Sequence, residues 1–298
     1  MIIKESKYKF KRNSYIDKNK LSERLNCQSN NVTESNKVTI NKHLPKILIF
    51  DVETAPMMVY VWSRWKQNIS LDQTISEWFM LCWSAKWLYS NEIMGDVLTS
   101  QEALAQDDSR ICKSLWKLID EADIVVAYNG KKADIPWMNT RFIVHSMNPP
   151  KPYFIIDPCE VAKKKFGFSS NKLDALAGYF GIPHKMDTDF NLWKGCMQGD
   201  KECLNYMLKY NKKDSAILEE VYLRMRPWIS NHPNISNFCD DTNTSCSHCG
   251  SENIEELKGK YYYTTVNKYQ LYRCKDCGTI FRSHKAIPSK VKSVPVCK

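Results

Sequence analysis

Apolar residues along this chain fall into two kinds of run. Ile47-Leu48-Ile49-Phe50 and Ile124-Val125-Val126-Ala127-Tyr128 are short and unbroken, the pattern of strands buried on both faces. Trp78 to Trp87 predicts a further strand, with the stretch around Tyr60-Val61-Trp62 as its pairing partner. Elsewhere the spacing turns helical. Ile111, Leu115, Leu118 and Ile119 share one helix face, and helices are also predicted over Ile135–His145, Lys172–Phe180 and Cys203–Leu223. Strands mixed with helices over 46–230 predict one α/β domain. Arg226-Pro227-Trp228 closes the last helix, residues 231–244 read as a polar linker, residues 245–282 as a compact cysteine-bearing module, and residues 1–45 and 283–298 as two arms without periodicity.

Composition fits that division. The 298 residues are 43% hydrophobic, enough for one full core and a small extra module, and unlike a disordered, collagen-like or coiled-coil chain. Lys and Arg number 43 against 33 Asp and Glu, a formal +10. The excess sits wholly in the arms, +6 in residues 1–45 and +4 in residues 283–298, around an electrically balanced body. The arms therefore predict a polyanionic partner, while any active site belongs to the neutral part. The first residues show no signal-peptide pattern, and no stretch approaches the roughly 20 apolar residues of a membrane span. The expectation is a soluble protein of the cytoplasm or a host-cell interior, neither secreted nor bound to a membrane. The sequons at Asn31 and Asn234 would then go unused. Of the twelve cysteines, four form two C-x-x-C pairs, which points to reduced thiols and one metal site rather than disulfides.

Candidate chemistry lies in three places. Asp51 and Glu53 follow the first apolar run, and residues two apart on a strand face the same side. They are either solvated acids in a turn or a pair of ligands at a strand end. Asp134 follows the second strand and precedes Pro136, so on its own it reads as a helix N-cap, a role compatible with ligation. Asp214 interrupts an apolar stripe of Cys203, Met207, Tyr210, Ile217 and Val221. An ionised acid against a core needs compensation, from Tyr210 or from a metal shared with other carboxylates.

Together, Leu48-Ile49-Phe50-Asp51-Val52-Glu53-Thr54, Tyr128-Asn129 to Asp134-Ile135-Pro136, and Tyr210-Asn211-Lys212-Lys213-Asp214 resemble the three motifs of the DEDD superfamily of 3′→5′ exonucleases, whose fold is ribonuclease H-like. The Tyr resembles its Tyr-type branch, which includes proofreading domains of DNA polymerases. Lys46 to about Trp228 is similar to ribonuclease H-like exonucleases predicted in phage and bacterial genomes, some with zinc-binding segments. One departure is Ala133, where family members place an aromatic residue. The resemblance implies a mixed sheet flanked by helices and two Mg²⁺ or Mn²⁺ ions. Asp51 would bridge both ions, Glu53 and Asp214 would complete the site that activates water, and Asp134 would support the second ion. Tyr210 would orient the attacking water, and Asn129 and Thr54 would contact the terminal nucleotide. The products would be nucleoside 5′-monophosphates cut from a 3′ end, of DNA more than RNA. A structure-selective endonuclease and an inactive nucleic-acid-binding scaffold are the alternatives. Asp157 and Asp174 are expected to be structural or supporting.

Cys246-Ser247-His248-Cys249-Gly250 and Cys274-Lys275-Asp276-Cys277-Gly278 are two knuckles separated by 24 residues. Four thiolates at this spacing close a tetrahedral Zn²⁺ site with no open position for catalysis, and the Gly residues permit tight turns. The module resembles the zinc ribbons of nucleic-acid enzymes, with a hairpin at Tyr261–Val266 and Tyr269–Arg273 and with His248 exposed. Tyr261, Tyr262, Tyr263, Tyr269 and Tyr272 either stack on bases or build a small hairpin core. Lys163-Lys164-Lys165 is either a substrate path or a solvated face.

Overall fold

The computed structural model of the chain describes residues 44–183, 186–238 and 244–288. Most of both arms and residues 239–243 of the linker thus lie outside the described residues. The chain divides into one compact unit, Lys46–Leu223, and a second formed by the residues on either side of it.

The first unit is built on a five-stranded sheet in the order β5-β4-β1-β6-β7, with β1 Ile47–Thr54, β4 Met80–Trp87, β5 Met94–Val97, β6 Ile124–Val126 and β7 Phe154–Ile156. Only β4 runs against the central β1; β5, antiparallel to β4, and β6 and β7 all run parallel to β1. This is the ribonuclease H-like mixed sheet that the motifs imply. The wholly apolar start of β1 takes the position with neighbours on both edges and helices over both faces, where Leu48, Ile49 and Phe50 are fully buried.

The expected pairing of Trp78–Trp87 with Tyr60–Trp62 does not form. The eight-residue β4 finds a full-length partner in β1, from Leu48 opposite Trp87 to Thr54 opposite Met80, which three residues at 60–62 could not match. Tyr60 instead follows β2 (Met58–Val59), which pairs with β3 (Thr74–Ser76) in a separate two-stranded hairpin.

Among the described residues seven helices accompany the sheet: α1 Ser100–Ala105, α2 Ser109–Glu121, α3 Asp134–Val144, α4 Pro158–Lys165, α5 Leu173–Tyr179, α6 Phe190–Met197 and α7 Lys201–Met225. Three of them are not foreseen from periodicity: α1, α4 and α6. Each is short and begins on a polar cap, respectively the Thr99/Glu102 capping box, Asp157 and Asp189. Ile111, Cys112, Leu115 and Ile119 bury one face of α2, and the Trp83 indole N–H donates to Ile111 O at 2.8 Å. None of the described helices is long and apolar enough to cross a membrane.

The second unit carries the cysteine module, a three-stranded sheet of β8 (Ile254–Tyr263), β9 (Lys268–Cys274) and β10 (Ile280–Arg282) in the order β10-β9-β8. The hairpin arms differ from expectation. The strand β8 starts at Ile254, and Thr264 to Asn267 form the turn, with Thr264 N–H bonded to Asn267 O at 2.9 Å. Val266 is therefore a turn residue.

Candidate active site

Asp51 and Glu53 lie on one face of β1, opposite Ser84 and Cys82 of β4. That face is covered by α7, which brings in Asp214. Ligand oxygens of Asp51, Glu53 and Asp214 all come within 4.8 Å of one another, Asp214 buried and the other two half-exposed. The donor set is purely hard oxygen, which suits Mg²⁺ or Mn²⁺. Carboxylates this close repel when ionised, and a bound divalent cation offsets that repulsion.

A row of polar contacts holds α7 at this height on the sheet. Asn211 Nδ2 donates to Asp51 Oδ2 at 2.6 Å, Ser84 Oγ donates to Asn211 O at 2.8 Å and hydrogen-bonds Ser215 Oγ at 2.7 Å. Lys86 Nζ donates to Glu219 Oε2 at 2.5 Å, and the Tyr89 amide donates to Glu219 Oε1 at 2.8 Å. Asn211, Ser215 and Glu219 recur every four residues, and all three are buried. Sequence reasoning gave none of them a role. Asn211 stands three residues before Asp214, so the spacing that selected Tyr210 and Asp214 also places it beside the acids.

Asp134 is not the N-cap that its sequence context suggests. It is the first helical residue of α3, and the cap position is Ala133, which has no side-chain bond. The Asp134 carboxylate turns towards β1 instead. The strand β6 pairs only as far as Ile49 opposite Val126, and beyond that point the Val52 amide donates to Asp134 Oδ1 at 3.2 Å. Asp134 is outside the three-acid convergence. Burial pushes its pKa up to about 6, the Val52 N–H opposes that rise, and the nearby Asp157 charge adds a smaller increment.

Asp157 caps α4, accepting from the Cys159 amide at 3.0 Å, and also receives the Asn129 amide at 2.9 Å. It thereby anchors the turn in which Asn129 adopts a left-handed φ of 59°. Asp174 lies exposed in the first turn of α5. Tyr210 is buried in the core one turn before Asp214. Thr54, at the end of β1, lines a shallow open hollow of about 370 Å³ with Pro56, Thr188, Asp189, Phe190 and Trp193, a group that does not include Asn129. Phe190 and Trp193 escaped sequence reasoning, although their i, i+3 spacing puts them on one face of α6. Lys163, Lys164 and Lys165 are exposed at the end of α4.

A second acid-containing cluster, Asp108, Cys112 and His145, is equally tight. Its carboxylate is already engaged by Arg141 at 2.6 and 2.7 Å, by the Met80 amide at 2.7 Å and by His145. Burial alone would raise the pKa of Asp108, but these donors hold it below the usual carboxylate range. The guanidinium fills the place of a cation, so the cluster is a structural tie between α2, α3 and β4.

In the second unit the four cysteines converge with all sulfurs within 4.8 Å. Cys246 and Cys277 sulfurs are 3.6 Å apart, as are those of Cys249 and Cys274. Zn–S bonds of about 2.3 Å in a tetrahedron require S···S edges near 3.8 Å, so the four residues fit Zn²⁺ and are too far apart for disulfides. The knuckles repeat each other. Gly250 N–H reaches Cys246 O at 2.8 Å and Gly278 N–H reaches Cys274 O at 3.0 Å, with glycine φ of 70° and 82°. Donation from Cys246 and Cys249 draws the Cys274 thiol down to about 7. His248 is not exposed as expected. It is half-buried, stacked on His232 at 4.6 Å and bonded through Nε2 to Ile229 O at 2.8 Å. The five tyrosines do not close a core either: Tyr262 and Tyr263 are exposed and the others half-buried. Cations lie over their rings, Lys268 at 3.6 Å from Tyr261 and Arg282 at 4.0 Å from Tyr269.

Residues 90–226 match the RNase_H superfamily. That segment includes Asp134, Tyr210 and Asp214 and excludes Asp51, Glu53 and the cysteine module. Among curated proteins none matches this chain. Among solved structures, the family B DNA polymerase from the hyperthermophilic archaeon Pyrobaculum calidifontis superposes with a TM-score of 0.46 at 13% identity, over 81% of this chain and 34% of the polymerase. This chain thus spans about a third of the polymerase's length.

Proposed function

We propose that this protein is a metal-dependent 3′→5′ exonuclease that hydrolyses nucleic-acid phosphodiesters to nucleoside 5′-monophosphates. The reading is carried by the convergence of Asp51, Glu53 and Asp214 on the β1–α7 face of a ribonuclease H-like sheet. When bound, two Mg²⁺ or Mn²⁺ ions supply charge neutralisation, a more acidic water and stabilisation of the leaving oxygen. The chain's own residues hold and aim this chemistry. Asp51, Glu53 and Asp214 hold the ions, and Asn211 fixes the rotamer of Asp51. Asp134 supports the second ion from the Val52 edge of β1. Tyr210 orients the attacking water. Thr54 and its hollow receive the terminal nucleotide, with Phe190 and Trp193 as aromatic faces for its base. Cys246, Cys249, Cys274 and Cys277 hold a structural Zn²⁺ in a ribbon that adds nucleic-acid contacts, and DNA is the favoured polymer.

The test is incubation of the purified chain with Mg²⁺ or Mn²⁺ and 3′- or 5′-labelled DNA and RNA, beside Asp51→Ala and Asp214→Ala. Stepwise shortening from the 3′ end, lost in both variants, is the expected result. Internal cuts would replace the exonuclease with a structure-selective endonuclease. Binding without turnover would leave a scaffold.

A further inference from the structure

Between the last proposed ligand on β1 and β4, the chain makes an excursion that buries almost nothing. The hairpin β2–β3 has strands of two and three residues, closed by a clasp in which Tyr60 N–H donates to Gln73 O at 2.9 Å and the Gln73 side-chain Nε2 donates to Tyr60 O at 3.1 Å. Above the clasp, all ten residues 61–70 are exposed. Tyr60 is 72%, Trp62 97% and Trp65 83% accessible. A large aromatic side chain presents roughly 150–250 Å², so these three alone leave several hundred Å² of apolar surface in water, a size that marks interaction sites.

Three observations identify the occupant. From Thr54 to Leu71 the chain has no acidic residue, while Arg64 and Lys66 flank Trp65. No ion pair engages either cation, and no other ring packs on Trp62 or Trp65, among the described residues. Finally, Pro56, a wall of the hollow beside Thr54, stands two residues before β2, so the hairpin adjoins the proposed nucleotide site along the chain. At about 3.4 Å per residue, Trp62 stands at most ~30 Å from Glu53 along the chain.

We propose that the β2–β3 hairpin is a stacking platform for single-stranded nucleic acid, on which the unpaired bases next to the 3′ end lie against Trp62 and Trp65 while Arg64 and Lys66 meet their phosphates. Aromatic faces accept any base, so the platform favours single strands and frayed ends without reading sequence. The ligand class rests on the nuclease reading; the binding itself does not require hydrolysis.

The experiment is fluorescence anisotropy of a labelled oligothymidylate with the full chain in buffer lacking Mg²⁺ and Mn²⁺, so that nothing is cut. Trp62→Ala and Trp65→Ala should each weaken binding about tenfold, within the range of base–aromatic stacking, while Trp62→Phe and Trp65→Phe retain most of it. Arg64→Ala with Lys66→Ala should flatten the slope of log K against log salt by about 1.4, at 0.7 per lost contact. Unchanged affinity in both Trp→Ala variants, with unchanged circular dichroism, overturns the proposal. So does a Trp-dependent dimer in sedimentation, or Trp-dependent vesicle binding, with oligonucleotide affinity unaltered. If Trp-dependent binding holds and the wild type cuts nothing with Mg²⁺, only the nuclease reading falls. If cutting holds and binding ignores both tryptophans, only the platform falls.

Discussion

Asp134→Asn removes a charge from a nearly solvent-free position while keeping an oxygen for the Val52 amide. Burial raises the pKa of Asp134 from 3.8 to about 6, so the folded protein binds a proton more readily than the unfolded chain between those values. Stability falls with pH wherever the folded state holds more protons. The stability is therefore fully present below about pH 4 and lost as pH rises through 6. Two pKa units correspond to roughly 3 kcal/mol, which is the cost of keeping Asp134 ionised at pH 7 without a cation. Asn carries no such cost, and because its amide brings new donors this figure is an upper bound. For a unit of this size the change is about 6–12 °C in Tm. The assay is chemical or thermal unfolding of wild type and Asp134→Asn, followed by tryptophan fluorescence from pH 4 to 8 without added Mg²⁺ or Mn²⁺. The variant should match the wild type near pH 4 and exceed it at pH 7. Added Mn²⁺ should then stabilise the wild type more than the variant. A difference that is flat with pH would refute the buried-carboxylate argument. A Mn²⁺ effect equal in both proteins would remove Asp134 from the metal site.

Asn211→Ala should lower kcat by roughly 10- to 100-fold with little change in KM, because a hydrogen bond to a charged group is worth about 1.5–3 kcal/mol; an unchanged kcat would show that Asp51 needs no second support. Lys86→Met leaves Glu219 buried without its cation and should destabilise the Lys46–Leu223 unit by about 3–5 kcal/mol, read by urea unfolding, whereas the paired change Lys86→Met with Glu219→Leu should recover most of the loss. Stripping zinc with a strong chelator should abolish ordered structure in residues 244–288, seen as collapse of their amide dispersion in nuclear magnetic resonance spectra, and Cys277→Ala should have the same effect; retention of the dispersed peaks would overturn the Cys246/Cys249/Cys274/Cys277 site.

The parts of the fold that could be read from residues are those where one physical demand dominates. An unbroken apolar run such as Ile47–Phe50 fits a covered strand, and a D-x-E pair that continues that strand shares one face. The two C-x-x-C-G knuckles announce a four-cysteine ligand set in the same direct manner. Misreadings cluster where two demands compete. Tyr60–Trp62 is apolar enough for a strand, yet β4 was already satisfied by β1. Asp134 has the context of a cap, yet the edge of β1 exposes the Val52 N–H beyond β6 and takes the carboxylate. Asn211, Ser215 and Glu219 form a polar stripe with no role in the sequence reading, and only the opposing Asp51, Ser84 and Lys86, brought by distant strands, make it an interior one. Periodicity reports that a face is polar but not what faces it.

That polar row has a consequence for how the protein tolerates change. Its three contact types differ along the helix: an amide on a carboxylate, a pair of hydroxyls, and an ammonium on a carboxylate. Displacing α7 by one turn, about 5.4 Å, would part Glu219 from Lys86 and cost the row its buried ion pair. Residues inserted or deleted in the short connection ahead of α7, at 198–200, would therefore be taken up by that connection, and Asp214 would stay where it is. The proposed centre is insulated from length variation in its neighbouring loops, and the chain can change its surroundings without moving its acids.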